Sequence, residues 1–262
     1  MTLSLLQYLL GACSGSLVGL ALGLFGGGGS ILAVPLMIYI VGVPDPHVAI
    51  GTSALAVAAN AGANLITHAR QGNVKWRCAA TYSVAGVCGA YAGSSLGKMF
   101  DGQKLLALFA LLMVVVGALM FRSRGQEGDC DAQCNRQNAP KVLGFGALTG
   151  LFSGFFGIGG GFLIVPGLVA STGMHILNAN GSSLVTVTAF GITTATNYAR
   201  SGFVDWRLAL VFIGGGVVGG FGGAYLARHL AQTKGALNLA FASLIILVAM
   251  YMFWKSAAAF TG

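Results

Sequence analysis

Gly23-Leu24-Phe25-Gly26-Gly27-Gly28-Gly29-Ser30-Ile31-Leu32-Ala33-Val34-Pro35 has a second version in the same chain, Gly154-Phe155-Phe156-Gly157-Ile158-Gly159-Gly160-Gly161-Phe162-Leu163-Ile164-Val165-Pro166. The match continues outward in fixed register. Ala49-Ile50-Gly51-Thr52-Ser53 aligns with Ala179-Asn180-Gly181-Ser182-Ser183, and His68 to Arg77 aligns with Tyr198 to Arg207, sharing Ala, Arg, Gly, Val, Trp and Arg. Chance likeness between two apolar stretches does not keep such a register, so the chain reads as one unit built twice.

Composition says where that unit resides. The 262 residues are 56% hydrophobic and 8% charged, with a mean hydropathy of +0.81. A water-soluble domain of that composition would expose large apolar surface. Apolar runs of membrane-crossing length satisfy their backbone groups in lipid only as helices, which predicts an all-α integral membrane protein. The net charge of +8 does not point to nucleic acid, because the 14 Lys and Arg lie in the loops between apolar runs, where they orient membrane proteins. All six acids, Asp45, Asp101, Glu127, Asp129, Asp131 and Asp205, also lie in loops. Spans without a carboxylate suit an anion better than a cation or a proton-pump substrate.

In order, the apolar segments are Leu3–Leu24, Ile31–Val41, Ala49–Thr67, Cys78–Leu96 and Leu105–Phe121, then Val142–Phe156, Phe162–Ala170, Gly181–Tyr198, Leu208–Leu226 and Ala236–Trp254. The polar stretch 122–141 separates them. The expected domains are therefore a first membrane repeat (1–121), a linker (122–141) and a second repeat (142–262), each repeat with four to five transmembrane or half helices. If all five segments cross, the halves are inverted; if the short one dips and returns, they are parallel. Basic residues divide nine to five in the first case and ten to four in the second, so charge does not choose. The inverted arrangement is the expectation, because it brings a glycine-broken helix of each half towards the midplane.

Four-residue glycine spacing at Gly11, Gly15, Gly19 and Gly23, and at Gly146, Gly150 and Gly154, reads as close helix packing. Adjacent glycines need another reason. Gly26, Gly27, Gly28 and Gly29 with Ser30, and Gly157, Gly159, Gly160 and Gly161, interrupt helices that restart with unpaired N–H groups at the positive end of the dipole, which suits an anion. A phosphate-loop reading fails, since no Lys-Ser/Thr follows and the flanks are apolar spans.

Polar residues inside the spans supply the other candidate contacts: Thr52, Ser53, Asn60, Asn64 and Thr67, with Asn180, Ser182, Ser183, Thr194 and Asn197. Interhelical hydrogen bonding is the alternative use of such groups. Thr52, Ser53, Ser182 and Ser183 rank higher as donors because they recur just after a turn in both copies. Arg70 and Arg200, each in Ala-Arg-x-Gly, could attract an oxyanion or mark topology. Trp76 and Trp206 read as interfacial anchors. His68 and His175 titrate near neutral pH close to the spans, and neither has a matching His in the other copy.

Cys13, Cys78 and Cys88 fall in apolar runs and read as small packing residues. Cys130 and Cys134 in the linker are left between metal binding, a disulfide and an incidental role. Leu10-Gly11-Ala12-Cys13 looks like a lipoprotein box, but no basic residue precedes it and the apolar run continues to Leu24, so it reads as a first span.

The paired Gly-x-Gly-Gly-Gly-x-Leu-x-Val-Pro type segments, the Gly-Thr-Ser after a short turn and the Arg-x-Gly ending of the next span resemble the sulfite exporter TauE/SafE family, also called the toluene-sulfonate uptake permease family. The resemblance covers nearly the whole chain outside the linker and termini. It implies a cell inner membrane carrier, multi-pass, for sulfur-containing anions such as sulfite, sulfonates, sulfate or thiosulfate. Gly27 and Ser30 stand where the second copy has Ile158 and Gly161, so the half-sites differ. The lipid bilayer is an expected partner and nucleic acid is not. No cofactor is expected, and the coupling ion, a proton among the options, is open. An intramembrane enzyme lacks its motifs here, with no His-Glu-x-x-His, Gly-x-Ser-x-Gly or carboxylate pair in the spans. A scaffold that moves nothing is the other alternative.

Overall fold

The computed structural model describes residues 4–122, 134, 138–230, 243, 246–248, 250 and 251. Among the described residues it is helical, with α1 (Leu5–Phe25), a 3-10 helix (Gly26–Leu32), α2 (Ala33–Tyr39), α3 (Pro46–Arg70), α4 (Trp76–Gly97) and α5 (Gly102–Arg122) in the first half. The second half has α6 (Ala139–Phe156), α7 (Gly161–Thr172), α8 (Ile176–Ala199) and α9 (Trp206–Leu230). The last expected span, 236–254, lies largely outside the described residues, as does most of the linker.

Helix starts follow from local chemistry. Ser4 and Gln7 form a capping box on α1, satisfying two of the orphan N–H groups of its first turn. The loop acids have the same duty: Asp45 accepts from His47 N, Asp101 from Gln103 N and Lys104 N, and Asp205 from Arg207 N and Leu208 N. These carboxylates sit at helix N-termini, where the dipole favours negative charge.

Among the described residues, four helical stretches are long and apolar enough to cross a membrane: Leu5–Tyr39, Pro46–Arg70, Ala139–Phe156 and Trp206–Gly223. The first of these is bent. Gln7 Nε2 donates to Val41 O (3.1 Å), so the chain leaves along α1, turns at Gly26 and comes back through the 3-10 helix and α2 to its starting level. The second half repeats the hairpin. A Cβ on Gly160 would strike Ser153, and one on Gly167 would lie 3.4 Å from Thr149 Cγ2, which lays α7 back along α6.

Glycine stripes decide which helices pair. α1 packs on α9, and α4 on α6. Gly15 abuts Phe212, Gly19 abuts Gly216 and Gly219 abuts Ser16, so α1 and α9 run in the same direction. In the other pair Gly146 abuts Tyr82, Gly150 abuts Gly86 and Gly154 abuts Ala90, again in parallel order. In each case a carbonyl oxygen of the partner occupies the space a Cβ would need, so backbones touch and dispersion contacts are made along the whole seam. α3 and α8 cross between these pairs in the opposite sense to each other, with Gly51 against Tyr198, Gly191 against Ala58 and Gly62 facing Thr188.

The outer surface of the bundle is apolar, with Leu17, Val84, Leu111, Leu148, Leu210 and Phe221 exposed. Trp76 and Trp206 are also exposed, each at the first residue of its helix. Lipid is the solvent that such a surface requires.

The reading of Cys78 as a small packing residue is corrected: it is bonded to Cys134, with Cα atoms 5.3 Å apart, which realises the disulfide left open for Cys134 with a partner in a span. Cys78 occupies the first turn of α4 and is buried. Cys130 lies outside the described residues.

Candidate functional site

The two glycine segments take different conformations. Gly26 to Leu32 winds as a 3-10 helix and not as an open loop, with Gly26 alone in that stretch at positive φ (60°). In the second copy Gly157, Gly159 and Gly160 all have φ of 65°, and the chain is non-helical until α7 begins at Gly161. Left-handed backbone of this kind suits glycine because an L side chain clashes there. Both segments are buried.

They meet in the interior. The Gly27 carbonyl lies against Gly161 Cα, and Gly27 itself packs on Val187 and Ser183. Two reciprocal hydrogen bonds cross between halves at this point. Gly27 N donates to Ser183 Oγ (2.9 Å), and Gly161 N donates to Ser30 Oγ (3.3 Å). Ser183 Oγ in turn donates to Asn180 O (2.7 Å), and Gly26 stacks on the Asn180 backbone, so Asn180 backs the first turn. Gly157 packs on Ile50, and Ser53 Oγ donates to Ile50 O (3.0 Å), the matching arrangement under the second turn. Gly28 and Gly29 continue the 3-10 helix, Gly29 lying against Leu22 and Ala21 of α1.

Ser153 was not singled out in the sequence, yet it belongs here. It is fully buried beside Gly160, and its Oγ has no hydrogen-bond partner. A hydroxyl buried without a partner is costly to the fold. A serine one turn before Gly157 on the same helix was the available signal.

Thr52 and Ser182 occupy equivalent places and do equivalent things. Thr52 Oγ1 accepts from Asp205 N (3.0 Å), and Ser182 Oγ accepts from Lys75 N (2.9 Å), so each ties the loop before α9 or α4 to the helix it crosses. Their hydroxyls face these loops in the structure. Asn197 is gathered into a cluster at the end of α8: its Nδ2 donates to Ser94 Oγ (2.6 Å) and Ser95 Oγ (3.0 Å), and Lys98 Nζ donates to Asn197 Oδ1 (2.9 Å), Asn197 O (3.1 Å) and Ser201 Oγ (2.9 Å). Partial burial draws the Lys98 ammonium below its ordinary pKa. Lys98 is the cation that the sequence reading missed; it follows α4 directly and looked like a loop charge.

Asn60, Asn64 and Thr194 are buried in the spans away from the turns' direct bonds. Asn64 Nδ2 donates to Asn60 O (2.9 Å), whereas Asn60 Oδ1 and Nδ2 and Thr194 Oγ1 have no partner. Arg70 and Arg200 are exposed at the ends of α3 and α8, and since those helices are antiparallel the two guanidinium groups lie at opposite faces. A cleft of about 430 Å³ opens between Val48 and the segment Gly202, Val204, Asp205, Trp206 and Arg207.

Residues 11–257 match the family model described as "Sulfite exporter TauE/SafE". A probable membrane transporter protein of Xylella fastidiosa is 53% identical over 244 residues, covering 93% of this chain and 94% of that protein. Proteins of the same description from Haemophilus influenzae (29% identical; 92% and 96% covered) and Bacillus subtilis (24% identical; 84% and 85% covered) are also similar. No solved structure matches the chain.

Proposed function

The chain belongs to the sulfite exporter TauE/SafE family, and from that premise we propose that it is a secondary transporter of a small sulfur-containing anion, such as sulfite, a sulfonate, sulfate or thiosulfate. The cell inner membrane is its proposed location, and alternating access between two inverted halves its mechanism, with 1–121 and 142–262 as the halves and 122–141 as their linker.

The observation that carries this reading is the junction of the glycine turns. Each half contributes a backbone N–H, Gly27 or Gly161, held by a serine hydroxyl of the other half, Ser183 or Ser30. A sulfur oxyanion accepts hydrogen bonds from the same kinds of group, backbone N–H and hydroxyl, and the spans offer no carboxylate to repel it. When the halves rock apart, these donors exchange their serine partners for the anion, with Ser153 and Ser53 beside the second turn and Asn180 beside the first. Arg70 and Arg200 attract the anion at the two faces, and Thr52, Ser182, Asn197, Asn64 and Thr194 hold the surrounding helices in register.

Inverted halves are supported by direction. Equivalent helices α3 and α8 are antiparallel, and α1 pairs with α9 as α6 pairs with α4. An axis lying in the membrane plane exchanges partners in that way.

The test is uptake of ³⁵S-labelled sulfite, sulfate, thiosulfate and sulfoacetate into proteoliposomes, with phosphate as the control. Saturable movement of one sulfur anion, lost in the double variant Ser30→Ala/Ser183→Ala with folded yield retained, is the expected result. Folded protein that moves none of them overturns the reading.

A further inference from the structure

Asn60, Asn64 and His68 stand four residues apart on α3 and so share one face of that helix. All three are buried, and the face they form looks into the seam between α1 and α9. Asn60 lies against Gly216, which abuts Gly19 across the seam; Asn64 lies against Gly220; the His68 ring lies against the Gly23 backbone of α1. The row therefore begins beside Val57, whose Cγ1 would be 3.1 Å from a Cβ on Gly159, and climbs to the last turn of α3.

This row is poorly satisfied. Both polar atoms of the Asn60 amide are buried without a hydrogen bond and Asn60 is wholly inaccessible, while the His68 ring, only 6% exposed, has the Gly23 backbone as its one polar neighbour among the described residues and makes no well-aligned hydrogen bond to it. Each such group forfeits the hydrogen bonds it would make in water, and apolar side chains of similar size would fold more favourably. The second half makes that substitution at one of the three positions. At the matching positions of α8 stand Phe190, whose ring covers Gly86 as Asn60 covers Gly216, and Thr194 and Tyr198, whose hydroxyls are themselves buried without a partner. Packing thus accepts an aromatic in this place, and the first half keeps amides and an imidazole instead.

Beside Asn64 there is a recess of about 10 Å³ lined by Ala63, Asn64, Thr67, Val217 and Phe221. That is about the space one water occupies, and its walls are partly polar. Water beside Asn64, bridging to the Asn60 amide on one side and the His68 ring on the other, would complete a hydrogen-bonded line from the glycine turns to the end of α3. Of the side chains in this line only the imidazole can bind and release a proton near neutral pH.

We propose that the Asn60–Asn64–His68 face of α3 is the proton path of this transporter, with His68 the group that takes up the coupling proton and passes it by water to the glycine turns. This rests on the transport reading above. Other titratable or charged groups on the described parts of elements packed against α3 are Tyr8 and Cys13 of α1, Tyr39 of α2, Lys104 of α5, Tyr198 and the helix-capping His175 and Arg200 of α8, and Arg207 and Tyr225 of α9. Of the described groups on α1 and α9 named here, Tyr225 lies nearest the level of His68, and it faces outward, 68% exposed.

The experiment separates exchange from accumulation, using ³⁵S-thiosulfate and ³⁵S-sulfate, anions that do not themselves titrate near neutral pH. In wild-type proteoliposomes, an imposed pH gradient drives accumulation, and an anion gradient moves protons recorded by trapped pyranine. In His68→Gln, anion-for-anion exchange persists while pH-driven accumulation falls at least about tenfold. Asn60→Leu folds at least as well as wild type and also loses proton movement. Wild-type transport that is indifferent to the pH gradient and silent in pyranine overturns the proton path while leaving the transport reading intact, whatever the variants do. Undiminished pH-driven accumulation in His68→Gln overturns it too. Absence of wild-type exchange for both anions removes the transport reading and this inference with it.

Discussion

The carbonyl oxygen of Gly27 occupies the space that a Cβ on Gly161 would need, so the two halves touch backbone to backbone at the centre of the molecule. No side chain can be added on either side without parting them. The same two residues each donate an N–H to a serine of the opposite half, which makes the contact polar as well as close.

Gly161→Ala is expected to separate the turns and abolish transport. The added methyl meets backbone that cannot rotate away, a form of overpacking that costs about 1–3 kcal/mol or more. Ser30→Ala removes one hydrogen bond at the same place and costs about 1 kcal/mol. The check is transport per folded molecule alongside thermal unfolding in detergent: Gly161→Ala inactive and less stable, Ser30→Ala folded with reduced transport. Full activity in Gly161→Ala would show that the turns do not work in contact.

Glycines of the seams and glycines of the surface should respond differently. Gly150→Leu places a side chain against the Gly86 carbonyl and forces α4 and α6 apart, whereas nothing lies within 4 Å of a Cβ built at Gly144. Folded yield of Gly150→Leu should collapse, with Gly144→Leu close to wild type. Equal yields for the pair would mean that α4 and α6 do not pack as described.

Thr52→Val and Ser182→Ala each leave one backbone N–H, of Asp205 or Lys75, without its acceptor. Each should destabilise the protein by about 1 kcal/mol, and because the two sites are far apart and share no partner the losses should add. Measured unfolding midpoints of the singles and the double test this. A large change in substrate KM without loss of stability would assign these hydroxyls to the anion instead.

Lys98 holds the end of α8 through Asn197 and Ser201. Lys98→Met removes three hydrogen bonds and leaves Asn197 Oδ1 buried without a donor, a cost of about 1–3 kcal/mol. Accelerated backbone hydrogen exchange confined to 194–202 is the expected signature; an unchanged exchange pattern would mean the cluster does not hold that end.

The Cys78–Cys134 bridge joins the start of α4 to the linker. Mass spectrometry of protein digested without reduction should yield a linked peptide pair containing these two cysteines, lost on reduction. Recovery of both as free thiols from protein prepared under thiol-blocking conditions would count against the bridge.

Sequence alone determined the class of solvent and most helix positions, and it is the source of the reading of the chain as one unit built twice. Sparse charge, long apolar runs and a fixed register between copies are local facts, and lipid permits few structures to such a chain. Expected segments such as Ala49–Thr67 and Cys78–Leu96 lie inside the observed Pro46–Arg70 and Trp76–Gly97, the difference being terminal turns whose residues are too polar to register as apolar. Tertiary structure decided what periodicity cannot carry. Whether the chain returns after Gly26 depends on the meeting of Gln7 with Val41, 34 residues apart. The pairing of α1 with α9 depends on which glycine stripe lies opposite which, and several stripes were available. Ser153, Lys98 and Cys134 gained their meaning from neighbours distant in sequence or from the lack of any, because satisfying a buried polar group is a property of the space around it and not of the residue itself.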